Sequence, residues 1–369
     1  MAQKLHLTLT TTLTLLEQFQ TAITTSTSTS TSTPPPSFAT ETTSSAPEIK
    51  PKDALPLLSA SALTLKSQIT KLSLVTITSP FTAAAVQPVL TALNESVLPS
   101  LVTGALLITA TEHTVAFRTE AHALTKLALT ELAALLHEVQ TISEKKTTEL
   151  AQAEKDAVTV AAGRAWETCD ALIDLAGKGV VGFVMRRVEQ WRDLVRDAVG
   201  EIEEWDPDEE GDEFFDELLG EDHTGHQDEG GDSEDEDEDG EESAALHAQK
   251  KDTLRVLRPI AQVYPAIVTH RLKKTADAVA EVRTLEALMG CLREIPELVD
   301  EVAGALYEAN PEKSLRFLGL AKEKAVAALQ LVTLPWQGAG EDKFSAWAKT
   351  WLRVMNELSG SNDSGHGLG

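Results

Sequence analysis

The stretch RAWETCDALIDLAGKGVVGFVMRRVEQWRDLVRDAVGEI, residues 164–202, poses the choice on which the fold turns. Its centre holds Gly177, Gly179 and Gly182 at the G-x-G-x-x-G spacing of a loop that cradles a pyrophosphate. Such a loop needs a buried strand before its first glycine and a helix behind its last, with the helix N-terminus facing the phosphates. What precedes Gly177 is no strand. Trp166, Cys169 or Asp170, Ile173 and Ala176 fall three or four apart, and Glu167, Asp170 and Asp174 are charged, which is the pattern of an amphipathic helix. Beyond the glycines, Val181, Val184, Val188, Trp191, Val195, Val199 and Ile202 again step by three or four. Arg186, Arg187, Glu189, Arg192, Asp193 and Arg196 mostly take the outer face. Gly177 is therefore expected to cap the first helix in the left-handed conformation, and the two helices to form an antiparallel hairpin. Lys178 lacks the spacer and the following Ser or Thr of a phosphate-binding loop. The glycines read as punctuation between helices.

The same periodicity extends both ways. Leu5, Leu9, Leu13, Leu16 and Phe19 stripe a first helix over 3–23, and Leu58, Ala62, Leu65, Ile69 and Leu72 a second from a possible cap at Asp53. Pro80 opens a further segment that Pro88 and Pro99 should kink or divide. A long helix is expected from Glu112 to Glu144, with Leu124, Ala128, Leu132, Leu135 and Val139 on one face, and another from Thr147 to Ala176. In the C-terminal half, Leu254, Leu257, Ala261, Tyr264, Ile267, Val268 and Leu272 form a stripe interrupted by Pro259 and Pro265. Helices are then expected over Thr284–Ile295, Pro296–Glu308, Pro311–Leu331 and Asp342–Leu358. Trp347 and Trp351 sit four apart in the last and read as core anchors. With aromatic residues at 5% and no strand-helix-strand alternation, the expectation is an all-α protein of antiparallel helical bundles with long helices.

The formal charge of −26 is local. Residues 203–242 hold 23 Asp and Glu and no Lys or Arg, leaving 35 acidic against 32 basic residues elsewhere. This segment and the Ser/Thr/Pro-rich run over 24–50 are expected to be disordered inserts. The organisation expected is an N-terminal bundle over 1–204, an acidic linker over 205–243, a C-terminal bundle over 244–360 and a tail over 361–369. The acidic field and the absence of a basic stripe argue against direct nucleic-acid binding. The uncharged run Leu72–Asn94 is broken by Pro80 and Pro88 and rich in Ser and Thr, and the threonine-studded N-terminus does not read as a signal peptide. The expectation is a soluble protein with no membrane partner, in cytoplasm and nucleus. Cys169 and Cys291 lie far apart and read as buried hydrophobes of a reducing compartment.

Residues 163–205, with the Arg-x-Trp-x-x-Cys-Asp helix, the short glycine turn and the long helix ending at an acidic Trp, resemble the cyclin-D-binding protein (GCIP) family in a fungal-type version. VLPSLVTGALLI before them and the acidic insert after them fit the same layout. The resemblance implies helical bundles, regulatory protein binding without assigned catalysis, and D-type cyclins and the damping of cell-cycle transcription as the animal members' role.

Within the acidic insert, DEFFDELLGED places Phe214, Phe215, Leu218 and Leu219 on one side of a helix ringed by acids. Two readings stand: a helix docked on its own bundle, or a recognition helix that folds into a partner's groove. With Trp205, these four are the candidate partner-binding residues. Ser233, followed by Glu-Asp-Glu, is a possible phosphosite for an acid-directed kinase. His223 and His226, near Asp222 and Asp228, suggest only incidental metal binding, so no metal site is assigned. No serine elbow, HExxH or paired zinc-spaced cysteines are present, so neither a catalytic residue nor a cofactor is assigned and the chain is read as a non-enzyme. The primary expectation is a regulatory protein-binding adaptor whose partner is a cyclin or transcription regulator. The alternatives are an acidic chaperone for basic proteins such as histones, or a vinculin-like structural bundle.

Overall fold

The computed structural model describes residues 2–28, 53–145, 150–208, 236–275, 281–336 and 340–360, and among them all regular structure is helical. Most of the Ser/Thr/Pro-rich run, most of the acidic segment and the tail lie outside the described residues, but helix extends further than expected at both inserts. The first helix continues through Ser28, where the Thr24 and Thr25 hydroxyls donate to carbonyls one turn back, and helix resumes at Glu236 within the acidic segment. Two compact units divide the chain at Phe183/Val184.

The N-terminal unit contains α1 (Ala2–Ser28), α2 (Ala54–Ile77), α3 (Ala83–Ala92), a π-helical turn (Leu93–Val97), α4 (Leu98–Leu106), α5 (Ala110–His113), α6 (Val115–Glu144) and the first part of α7 (Gln152–Glu204). α1 is rich in threonine, a modest helix former. Its hydroxyls turn back on the helix: Thr8 donates to the Lys4 carbonyl at 3.0 Å, and Thr12 to the Thr8 carbonyl at 2.8 Å. This frees Leu5, Leu9, Leu16 and Ile23 to bury completely against α3 and α6. The α2 stripe read from the sequence is wholly buried. α2 and α4 touch through backbone: a Cβ on Gly104 would lie 3.0 Å from the Leu58 nitrogen and 3.1 Å from its Cα, so only glycine lets these helices approach so closely. Ala83–Leu106 is long and apolar enough to cross a membrane by length and composition, and 50% of its most apolar window is buried inside the protein. Val86, Leu90, Leu93, Leu98 and Leu101 are core residues of the unit.

The single helix expected from Glu112 is broken. Thr114 takes φ 71°, and its hydroxyl accepts from the Phe117 amide at 3.2 Å, which ends α5 and caps α6. Asp53, by contrast, makes no side-chain cap hydrogen bond to α2.

At the glycine run the left-handed residue is not the one expected. Gly177 stays helical, and the residue that leaves the helical region is Gly179, at φ 66° and ψ −170°. The helix persists past Gly177 because Lys178 reaches back to Asp174 at 2.8 Å, an i,i+4 ion pair that needs one more turn. Gly182 is also required: a Cβ there would lie 2.8 Å from that of Lys178. Phe183 then closes on Phe117, edge to face at 5.5 Å.

The C-terminal unit contains the rest of α7, then α8 (Glu236–His270), a 3-10 turn (Leu272–Lys274), α9 (Val282–Leu292), α10 (Ile295–Tyr307), α11 (Pro311–Leu331) and α12 (Lys343–Gly360). Pro259 and Pro265 both sit inside α8. α11 packs on α10, α9 and α8, and α12 on α8 and α11. Tyr264, wholly buried, donates to the Leu292 carbonyl at 2.9 Å. Arg271 is 2% exposed and stacks 4.2 Å from the Phe344 ring centroid. It donates to the Val332 carbonyl at 2.7 Å, the Thr333 carbonyl at 2.7 Å and both Asp342 oxygens at 2.8 and 3.1 Å. Asp342 also caps α12 by accepting from the Ser345 amide at 2.9 Å.

Two outcomes follow. Gly179→Ala is expected to cost about 1–3 kcal/mol, because this φ/ψ region is nearly closed to residues with a Cβ. Gly177→Ala, with open space around it, is expected to leave stability unchanged or raise it by up to ~1 kcal/mol; paired urea melts of the two variants test this.

Arg271, and after it Ser345, holds the Asp342 carboxyl well below the usual carboxylate range. A depressed folded value means that this stabilisation is complete above the unfolded carboxyl value of about 4 and is lost as pH falls towards the folded one. Asp342→Asn strands a buried guanidinium that keeps its carbonyl acceptors, and is expected to cost about 2 kcal/mol at neutral pH, below the ~3–5 kcal/mol of a fully broken buried pair. Urea melts at pH 7 and pH 3 check it: the difference between wild type and variant shrinks at the lower pH.

Candidate functional site

Of the partner-binding residues read from the sequence, Trp205 lies within the described structure. Phe214, Phe215, Leu218, Leu219 and Ser233 fall outside the described residues, as do His223 and His226. α7 stops at Glu204 because Pro207 disfavours helical geometry at Asp206, although the Trp205 amide still donates to the Glu201 carbonyl at 2.9 Å. The carbonyls left open at this end are closed from α8. Lys250 Nζ donates to the Glu203 carbonyl at 3.0 Å and to the Trp205 carbonyl, and Arg258 pairs with the Glu203 carboxylate at 2.7 Å. Cations are thereby placed at a helix C-terminus, where the backbone dipoles favour them.

So held, the Trp205 indole stands edge-on to the Tyr307 ring at 5.0 Å and 70°. Tyr307, at the end of α10, is 47% exposed. Carboxylates crowd the pair. Partial desolvation, then Glu201, Glu297 and Glu301, raise the Asp300 carboxyl above its ordinary value; desolvation and then Glu201 raise the Tyr307 phenol. Lys313 lies 3.9 Å from Glu301 and 3.0 Å from Glu308, while Glu201, Glu297 and Asp300 have no cation partner among the described residues. The result is an exposed aromatic edge in a field of uncompensated negative charge.

Residues 57–208 match the family model described as Grap2 and cyclin-D-interacting, N-terminal. The match makes this segment similar to that family's N-terminal domain and covers less than half of the chain. No curated protein matches the chain.

The matched segment begins in the first turn of α2 and ends at Asp208, so it supplies Trp205 and Glu201. Tyr307, Asp300 and Lys250 come from beyond it. No local pattern marked these three as neighbours of Trp205, because they reach it only through the packing of α8 and α10. The same holds for a second grouping. Asp206, Asp208 and His247 bring one ligand-type atom each within 4.8 Å of one another, with His247 Nε2 3.0 Å from Asp208 Oδ2. All three are exposed, and Ser243 and then His247 lower the Asp208 carboxyl through hydrogen bonds. Hydrogen bonds from Ser243 to Asp208 and between His247 and Asp208 hold this grouping together.

The thiol within the matched segment is inert by position. Cys169 is wholly buried; burial, and secondarily Asp170, push it up to about 12, so thiolate is scarce near neutral pH. Burial raises Cys291 as well. His122 is held in the core with Nε2 3.0 Å from the Ala105 carbonyl, and burial lowers its proton affinity.

The aromatic pair joins the end of α7 to α10 and should be energetically coupled. A double-mutant cycle of Trp205→Ala and Tyr307→Ala in urea unfolding is expected to give a coupling of about 0.5–1.5 kcal/mol; additivity within ~0.3 kcal/mol would show the rings to be independent.

Proposed function

We propose that this protein is a non-enzymatic regulatory adaptor of cytoplasm and nucleus that binds a D-type cyclin or a transcription regulator and tempers cell-cycle progression. The match of residues 57–208 to a cyclin-D-interacting domain carries the reading. The geometry supports it at one edge of that domain, where Trp205 and Tyr307 present half-exposed aromatic surface, the residue types that dominate the energy of protein interfaces. The chain continues from this edge into the acidic segment bearing Phe214, Phe215, Leu218 and Leu219, so the aromatic pair and the four apolar residues act together, with the acids speeding encounter with a basic partner. Neither a cofactor nor a metal enters this reading.

The test is a pull-down from native cell extract, comparing the full chain with Tyr307→Ala and with the quadruple alanine variant of Phe214, Phe215, Leu218 and Leu219. Circular dichroism accompanies it to confirm folding. The expected outcome is retention of a cyclin or transcription regulator by the wild type and at least about a tenfold loss on the quadruple variant. Equal recovery with all three proteins removes this edge from the binding site. Recovery of histones that salt releases, indifferent to the alanines, would replace the adaptor by an acidic chaperone that acts through the 23 acids of 203–242.

A further inference from the structure

A second surface of the C-terminal unit has the opposite chemistry. α8 and α12 enclose a groove of 480 Å³ lined by Gln262, Pro265, Ala266 and His270 from the first helix and by Lys343, Phe344 and Trp347 from the second. The α8 residues recur at i, i+3, i+4 and i+8, so they form one continuous face that runs beside α12. Phe344 is the buried floor, with His270 at 5.8 Å on one side and the half-buried Trp347 at 5.4 Å on the other. Two helices with an apolar, aromatic trough between them make the receptor half of a helix-in-groove interaction.

The charge around the trough decides what enters it. Over 270–275 and 341–349 the chain carries five cations, Arg271, Lys273, Lys274, Lys343 and Lys349, against two acids, Glu341 and Asp342. Both acids are spoken for: Asp342 by the buried Arg271 at 2.8 Å, and Glu341 by Lys349. Lys273, Lys274 and Lys343 are exposed and have no carboxylate partner among the described residues. In a chain of formal charge −26, Lys343 lines the groove, and Lys273 and Lys274 follow the lining residue His270 in the next turn of chain.

We propose that this groove is a docking site for an amphipathic helix of another protein, with aromatic or aliphatic anchors that pack on Phe344 and Trp347 and flanking carboxylates that pair with Lys343, Lys273 and Lys274. The three lysines disfavour a basic helix by like-charge repulsion, so the groove selects partners of opposite character from those drawn to the acidic Trp205 edge. The site is independent of the cyclin-binding reading: it uses no residue of the 57–208 domain.

The experiment uses the full chain and a fluorescein-labelled synthetic helix with glutamates on one face and phenylalanine and leucine on the other. Its control is a twin with every glutamate replaced by lysine. Anisotropy is expected to rise saturably for the acidic helix, at micromolar protein, and not for the twin. Lys343→Glu and Trp347→Ala should each weaken binding about tenfold, with circular dichroism unchanged, and added salt should weaken it further. Lys343 is exposed, so its variant keeps the test sound if Trp347→Ala misfolds. Equal binding of the two helices, or binding indifferent to Lys343→Glu, overturns the proposal. Tighter binding by the Phe214, Phe215, Leu218 and Leu219 quadruple variant would assign the groove to the chain's own acidic segment and overturn the external partner.

Discussion

Every α-helix leaves carbonyl groups at its C-terminal end without an intrahelical donor, and in the C-terminal unit two such ends are closed by long cations from α8 and the residue after it. Lys250 closes α7 at Glu203 and Trp205; Arg271 closes α11 at Val332 and Thr333. A guanidinium that is 2% exposed tolerates withdrawal from water only when its donors are matched, and here backbone carbonyls and one carboxylate match them. That carboxylate, Asp342, also caps α12. One buried cation therefore fixes where α11 ends, where α12 begins and how α12 lies on α8, and through these the width of the aromatic groove. Lys250 does the smaller counterpart of this at the Trp205 edge.

The apolar stripes were legible because helix periodicity is a property of neighbouring residues. Leu58, Ala62, Leu65, Ile69 and Leu72 are all in the core, and α11 runs over Pro311–Leu331, the range expected. The choice of helix over nucleotide loop at Gly177–Gly182 rested on the same local signal. Which glycine takes the left-handed geometry was not so legible, since the Asp174–Lys178 pair favours a further turn while Gly179 and Gly182 are both permissive. Thr114 shows the converse: a hydroxyl that caps α6 from within an apparently continuous helical pattern.

The candidate site was legible only by half. Trp205 announced itself as an aromatic at the acidic end of an amphipathic helix, but Lys250 lies 45 residues away and Tyr307 further still. Such pairs arise from the way α8 and α10 pack, which no single window encodes. Asp206, Asp208 and His247 follow the same rule, with 39 residues between the histidine and the carboxylate nearest to it. Trp347 looked like a core anchor from its spacing to Trp351. Trp351 is indeed buried, its indole donating to the Pro259 carbonyl at 3.0 Å, whereas Trp347, one turn earlier, is only half-buried and lines the groove.

The near-neutrality of the chain outside 203–242 hides a segregation. Uncompensated carboxylates gather at the Trp205–Tyr307 edge, while the exposed, unpaired Lys343 lines the groove and Lys273 and Lys274 follow its His270. α8 links the two, touching the first through Lys250 and the second through His270. Twenty residues of helix separate these positions by about 30 Å, some three to four screening lengths at physiological ionic strength, where the Debye length is about 8 Å. Across that distance the two fields barely act on each other, so a partner at one edge neither repels nor recruits a partner at the other by charge alone. Each surface therefore keeps its own selectivity for charge.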